Sequence, residues 1–222
     1  MRSEITGSRY TLGEEIAHAV THGIGVLLSV AGLTLLVIYA ARFGNVWHIT
    51  SCSIYGATLV LLYTASTLYH GIPMPNAKRL LQRFDHAAIF LLIAGTYTPF
   101  TLVNLRGSWG WTLFGLVWGF AIIGVLLELL RDERLKWLSL TLYLGLGWLV
   151  VIAIKPLIDA VEVGGIILLL AGGLCYSLGV IFYIWKRLAY HHAVWHLFVL
   201  AGSVLHFLSV FYYVVPAAKG PA

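Results

Sequence analysis

The sequence predicts an all-α integral membrane protein built as a seven-transmembrane helix bundle, and three observations carry that prediction. Of the 222 residues, 60% are hydrophobic and only 10% are charged, whereas soluble domains carry about 25% charged residues. The apolar residues gather into seven runs, each close to the ~20 residues that a helix needs to cross a hydrocarbon core. The cations between those runs fall mostly on alternate connections, as loops on one side of a membrane do. The formal charge of +5 needs no nucleic-acid partner, because with so few charges their placement matters more than their sum.

The elements follow in chain order. Before the first run, "TLGEEIAHAVTHG" sets Thr11 three residues before Glu14, the spacing of a capping box, in which each side chain satisfies an orphan backbone N–H. This predicts a short N-terminal interfacial helix from Leu12 to Thr21. Glu15, His18 and His22 stand at i, i+3 and i+7 and share one of its faces, either packed under the bundle or supporting a site. Seven spans are then expected: Gly23–Ala41, Ile49–Tyr69, Asp85–Val103, Trp111–Leu130, Trp137–Ile154, Gly165–Trp185 and His192–Val215. Pro99 falls inside the third and should kink it, freeing a carbonyl for nearby threonines. Trp47, Trp109, Trp111, Trp137 and Trp185 lie near span ends, where amphipathic rings favour the interface.

The connections are short, and no Pro/Ser-rich linker or low-complexity tract interrupts them. Residues 1–222 therefore read as one domain, with residues 1–22 as a cytoplasmic N-terminal segment. No internal repeat is evident, which counts against transporters assembled from repeated halves. No secretory signal is expected from "MRSEITGSRYTLGEE". Cys52 and Cys175 both sit in apolar runs and form neither a disulfide framework nor a metal-binding pair.

Charge sets the orientation. With the N-terminus inside, the inner segments hold Arg2, Arg9, Lys78, Arg79, Arg83, Arg131, Arg134, Lys136, Lys186 and Arg187. The outer side holds only Arg42, Arg106, Lys155 and Lys219. The expectation is N-terminus cytoplasmic, C-terminus outside.

That topology brings His70, Asp85, His192 and His196 to one membrane depth, at the cytoplasmic end of three spans. Ionisable residues in spans usually face the bundle interior and mark function. His192 and His196, at i and i+4, project from one helix face; His191 is poorly placed to share a centre with His196. A third imidazole from His70 completes a three-histidine set, the usual design of catalytic zinc with an open water position. Asp85 would act as general base or orient a ligand ring. Ser66, one turn before His70, would hydrogen-bond the water or an oxyanion. The bland alternatives are a histidine pair that snorkels to head groups, an Asp85 that is only a helix N-cap, and a Ser66 that packs or bonds backbone. His206 lies ~15 Å deeper than His196 and is read as a buried histidine bonded to a neighbouring helix. His48 and His86 are read as interfacial, and Glu128 as a rim partner of Arg131 three residues on.

The stretches "EEIAHAVTHGIG", "STLYH", "FDHAAIFLLIAGTYTPF" and "HHAVWHLFVLAGSVLHF" together resemble the hemolysin III family, the bacterial branch of the progestin and adipoQ receptor family. The resemblance runs over essentially the whole chain. It matches Ser66 and His70 to a Ser-x-x-x-His motif, Asp85 to an aspartate of span three, and His192 and His196 to a His-x-x-x-His motif. His18 stands where many relatives have Asn. The resemblance implies a zinc cofactor held by histidines on the cytoplasmic side, a bacterial cell (inner) membrane location, and a membrane lipid as partner. Three functions compete. One is a zinc-dependent hydrolase of a lipid amide or ester, as some eukaryotic members are credited with ceramide hydrolysis. The others are a non-catalytic receptor or homeostasis factor with structural zinc, and a cytolysin. A retinal photoreceptor is disfavoured because span seven has no lysine for a Schiff base. An ion pump is disfavoured because carboxylates are missing from mid-membrane.

Overall fold

The structure, a computed structural model, describes residues 10–130 and 136–216. Arg2, Arg9, Arg131, Arg134 and Lys219 of the charge pattern lie outside the described residues, as does the side chain of Lys136. In chain order the α-helices are α1 Leu12–Phe43, α2 Val46–Gly71, α3 Pro75–Pro99, α4 Ser108–Leu130, α5 Lys136–Gly147, α6 Ile154–Ala160, α7 Val163–Ile184 and α8 His191–Tyr213. A π-helical turn, Phe100–Asn104, prolongs α3, and a 3₁₀ turn, Leu149–Ala153, joins α5 to α6. Taken with these turns, seven helical stretches are long and apolar enough to cross a membrane, consistent with a seven-transmembrane bundle. Leu27, Leu28, Ile122, Ile123 and Ile167 are among the large apolar side chains left on the outside, a surface suited to lipid.

The capping box forms as expected: Thr11 N donates to Glu14 Oε2 at 2.9 Å, and Glu14 N donates to Thr11 Oγ1 at 3.3 Å. The separate interfacial helix does not form, because α1 runs unbroken to Phe43. No proline interrupts it, and one buried stripe continues along its length: Glu15, His18, His22, Gly25, Ser29, Gly32, Leu36 and Ala40. Steps of three and four residues keep that stripe on a single face, so the polar start and the apolar remainder gain by staying one rod.

Helix α3 also starts earlier than the hydropathy suggests. Pro75 occupies its first turn, where a missing N–H costs nothing. Asp85 is therefore ten residues inside the helix and is not its N-cap. At the other end Pro99 closes the α-helical part and the π turn follows. Thr98 Oγ1 donates to Ala94 O at 2.8 Å, and Thr101 Oγ1 donates to Tyr97 O at 3.0 Å.

The fifth span is broken, which the sequence reading did not expect. Between α5 and α6 the Tyr97 hydroxyl accepts from Val150 N at 2.9 Å and donates to Gly147 O at 2.8 Å. One side chain of α3 thus serves backbone groups that the interruption leaves without helical partners.

Helices adjacent in sequence pack side by side from α1 to α4, α7 packs on α8, and α8 returns against α1. Small residues allow the close approach: the backbones of Gly172 on α7 and Gly202 on α8 meet, with the Gly172 oxygen 3.1 Å from where a Gly202 Cβ would stand. Buried hydroxyls bridge the same region. Tyr63 of α2 donates to Ser203 of α8 at 2.8 Å, and Tyr176 of α7 meets the same Ser203 oxygen at 2.8 Å.

Gly110 makes the packing testable. A Cβ there would collide with the carbonyl oxygens of Thr101 and Leu105, and backbone cannot swing aside as a side chain can. Gly110→Ala should cost about 1–3 kcal/mol of overpacking strain. Gly115→Ala on the same helix meets nothing within 4 Å and should leave stability unchanged or raised. Thermal melts of both variants in detergent decide the point; equal melting temperatures would count against the packing of α4 on the π turn.

Candidate metal centre

Three helix ends build the site. His70 lies in the last turn of α2, His192 and His196 lie in the first two turns of α8, and the polar start of α1 runs between them. The ring nitrogens of His70, His192 and His196 come within 4.8 Å of one another, and all three residues are buried. The sequence-predicted triad is therefore brought together in space. His191 is set apart from it, with Nδ1 donating to Phe182 O at 3.0 Å. His206 bonds Leu169 O at 3.0 Å through Nε2, the neighbouring-helix partner expected of it.

The face of α1 supports this site and is not a membrane-surface stripe. Glu15 Oε2 is 2.7 Å from His70 Nδ1, and Lys78 Nζ is 2.8 Å from Glu15 Oε1. Lys78 also donates to Tyr69 O at 3.0 Å, so a buried carboxylate clasps α1 to α2 and α3. An ionised carboxylate only accepts hydrogen bonds. His70 Nδ1 therefore carries the proton, and the free lone pair is on Nε2, which is buried and has no partner. A carboxylate behind a histidine is the usual way of fixing a metal ligand's tautomer and ring direction. A second triad, Glu15, His18 and His70, also has its donor atoms within 4.8 Å.

The unpartnered atoms test whether a metal suits the site. Besides His70 Nε2, they include His192 Nδ1, His196 Nδ1, Ser66 Oγ and both ring nitrogens of His18 and His22. Buried polar atoms without partners are costly, and so many imidazole nitrogens in one place are unusual. Neutral imidazoles suit zinc, iron and copper, so the donor set fits a borderline metal ion. His22 stacks on His196 with ring centres 3.6 Å apart and planes 13° from parallel. Tyr10 covers the cluster, stacked on His192 at 5.2 Å and edge-on to His18 at 4.8 Å.

Asp85 and Ser66 sit beside the triad. Both are buried and line a cavity of about 150 Å³ that His192 and His196 also line. The Asp85 carboxylate lies within electrostatic reach of His70, His86 and Ser66. The cavity also touches His206, ten residues and ~15 Å further along α8, and its walls there include Tyr97 and Trp148. It is a predominantly apolar slot with polar groups gathered near the helix ends.

Two minor expectations change. Glu128 is almost fully buried, accepts a hydrogen bond from Ser139 and lies 3.5 Å from His86 Nδ1; its suggested rim partner Arg131 is outside the described residues. His86 lines the cavity and is not at the interface. His48 completes a capping box with Asn45 at the start of α2. The contacts that sequence reasoning left open are those of Glu15, His18 and Lys78. Their signal was the i, i+3, i+7 spacing on α1, which marks a face without saying what it meets.

Comparison with known proteins gives a consistent picture. A family model described as "Haemolysin-III related" matches residues 10–207. A "Hemolysin-3 homolog" of Bacillus subtilis (strain 168) is 48% identical over 93% of this chain and 97% of its own. "Hemolysin-3" of Bacillus cereus is 45% identical over 99% of this chain and 100% of its own. The human "Monocyte to macrophage differentiation factor" is 25% identical over 91% of this chain and 85% of its own.

Proposed function

We propose, since this chain belongs to the haemolysin-III-related family, that it is a multi-pass membrane protein that binds zinc through His70, His192 and His196 and hydrolyses an amide or ester of a membrane lipid. The observation that carries this reading is the convergence of three buried imidazoles beside a cavity lined by Ser66 and Asp85. Three protein ligands with one open position is the common catalytic zinc design. When bound, zinc supplies Lewis acidity and lowers the pKa of water toward ~7.

The chain's own residues do the rest. Glu15 holds His70 in the tautomer whose Nε2 is free. Asp85 accepts the proton of the attacking water and delivers it to the leaving amine or alcohol. Ser66, whose hydroxyl has no partner, donates a hydrogen bond to the carbonyl oxygen as negative charge grows there. One C–N or C–O bond of the lipid breaks and one C–O bond to the water oxygen forms. The apolar walls of the cavity receive acyl chains.

The orientation we propose has the N-terminus inside a bacterial cell (inner) membrane, which puts the site on the cytoplasmic side. Ten of the fourteen Lys and Arg residues favour it. Asp85→Asn should keep zinc but lower turnover by about a hundredfold to ten-thousandfold, read by mass spectrometry of ceramides and phospholipids in nanodiscs. Purified protein without stoichiometric zinc, or undiminished turnover in this variant, sinks the reading.

A second reading, a non-catalytic receptor or homeostasis factor, is favoured by the helices involved. A metal on α2 and α8, backed by the clasp of α1 and α3, would tie four helices together. Chelation then lowers thermal stability and no lipid is turned over. The name of the Bacillus cereus relative motivates a third, cytolysis, which predicts leakage of liposomes exposed to the pure protein.

A further inference from the structure

We infer that His18 is a fourth ligand of the metal proposed for His70, His192 and His196, giving a closed four-imidazole shell. The inference rests on that proposed site and adds a residue from a third helix, α1. It also sets a condition on the proposed hydrolysis: water reaches the metal only when His18 yields its position, since a filled tetrahedral shell has no open site.

Three observations carry it. His18 is fully buried, at 0% exposure, and neither of its ring nitrogens has a hydrogen-bond partner. A neutral imidazole has one donor and one acceptor to satisfy, and leaving both unmet in the interior is costly. His191 and His206, buried or partly buried outside the cluster, each find a carbonyl oxygen at 3.0 Å; His18 does not.

The second observation is position. The His18 ring centre is 4.6 Å from His70, 4.9 Å from His192 and 5.3 Å from His196. The other three separations are 5.3, 5.1 and 4.6 Å. The four rings thus stand at the corners of a nearly regular tetrahedron. Four imidazoles on one tetrahedral zinc, with Zn–N of about 2.0–2.1 Å, would have ring centres roughly 5.2 Å apart.

The third is selectivity among neighbours. His22 is equally unpartnered, but it lies flat on His196 at 3.6 Å. Parallel rings stacked face to face point their nitrogens side by side and do not converge on an ion that both bind. Glu15, one helical turn before His18, is already engaged by His70 and Lys78, which anchors the α1 face that presents His18.

The test uses the full chain in nanodiscs, loaded with zinc or cobalt(II). X-ray absorption of the wild-type zinc protein should count four imidazole nitrogens. His18→Asn should show three and an oxygen, with zinc affinity lower by roughly tenfold or more. In His18→Cys loaded with cobalt(II), a sulfur-to-metal charge-transfer band should appear that wild type lacks, although both carry Cys52 and Cys175. Three imidazoles in wild type overturn the inference while leaving the three-histidine site intact. So does the absence of a sulfur band in folded, cobalt-loaded His18→Cys. A wild-type chain that binds no stoichiometric metal overturns the inference and the proposed function together. The wild-type count decides the matter even if both variants fail to fold.

Discussion

Replacing both His192 and His196 by alanine is expected to abolish tight metal binding. Outer partners of a metal ligand are typically worth 10–100-fold in affinity; losing two direct ligands of a three-histidine site should exceed that. The thermodynamic signature is as informative as the affinity. A ligand that binds only the folded state stabilises it by about 2.7 kcal/mol at a hundred times its dissociation constant. Zinc should therefore raise the melting temperature of the wild-type chain and leave that of the double variant where it was. The His191→Ala control should keep the zinc response, because its Nδ1 bonds Phe182 O and its ring lies apart from the triad. A double variant that still gains stability from zinc, or a wild-type chain that gains none, would remove the metal centre from consideration.

The second large effect concerns Glu15. This carboxylate is buried, receives the Lys78 ammonium at 2.8 Å and meets His70 Nδ1 at 2.7 Å. Glu15→Ala leaves a buried cation and a ring N–H without their acceptor. Removing one partner of a buried ion pair costs about 3–5 kcal/mol, because the survivor stays desolvated and uncompensated. Glu15→Ala with Lys78→Met should recover part of that loss, and a double-mutant cycle measures how much. Metal affinity should fall by about 10–100-fold in Glu15→Ala, since His70 loses the group that fixes its tautomer. A stability change below about 1 kcal/mol, the range of exposed pairs, would mean that the clasp is open to solvent.

These predictions draw on information of two kinds. The seven apolar stretches, the capping box at Thr11 and Glu14, and the pairing of His192 with His196 are legible from sequence. Each depends on composition or on helical spacing within one segment, and neither needs a partner helix. The convergence of His70 with that pair also follows from topology, because alternating span directions bring their ends to one side.

The misread details share a cause. Helix α1 was divided at its change from polar to apolar residues, yet backbone continuity depends on hydrogen bonds and the buried stripe, not on polarity. The start of α3 at Pro75 was missed for the same reason, and with it the place of Asp85 inside the helix. The interruption between α5 and α6 is served by Tyr97, some fifty residues away in sequence, so no local pattern announces its partner.

By itself, then, the sequence determined the class of the protein, the number of its apolar stretches and the imidazole pair on α8, because local spacing and hydropathy act within single helices. Only the tertiary structure decided that Glu15 backs His70, that Lys78 is buried against Glu15, and that His18 stands among three other imidazoles. Those facts depend on how α1 is rotated against α2 and α8. That rotation is set by small residues and close contacts spread over several helices, and periodicity within one helix does not encode it.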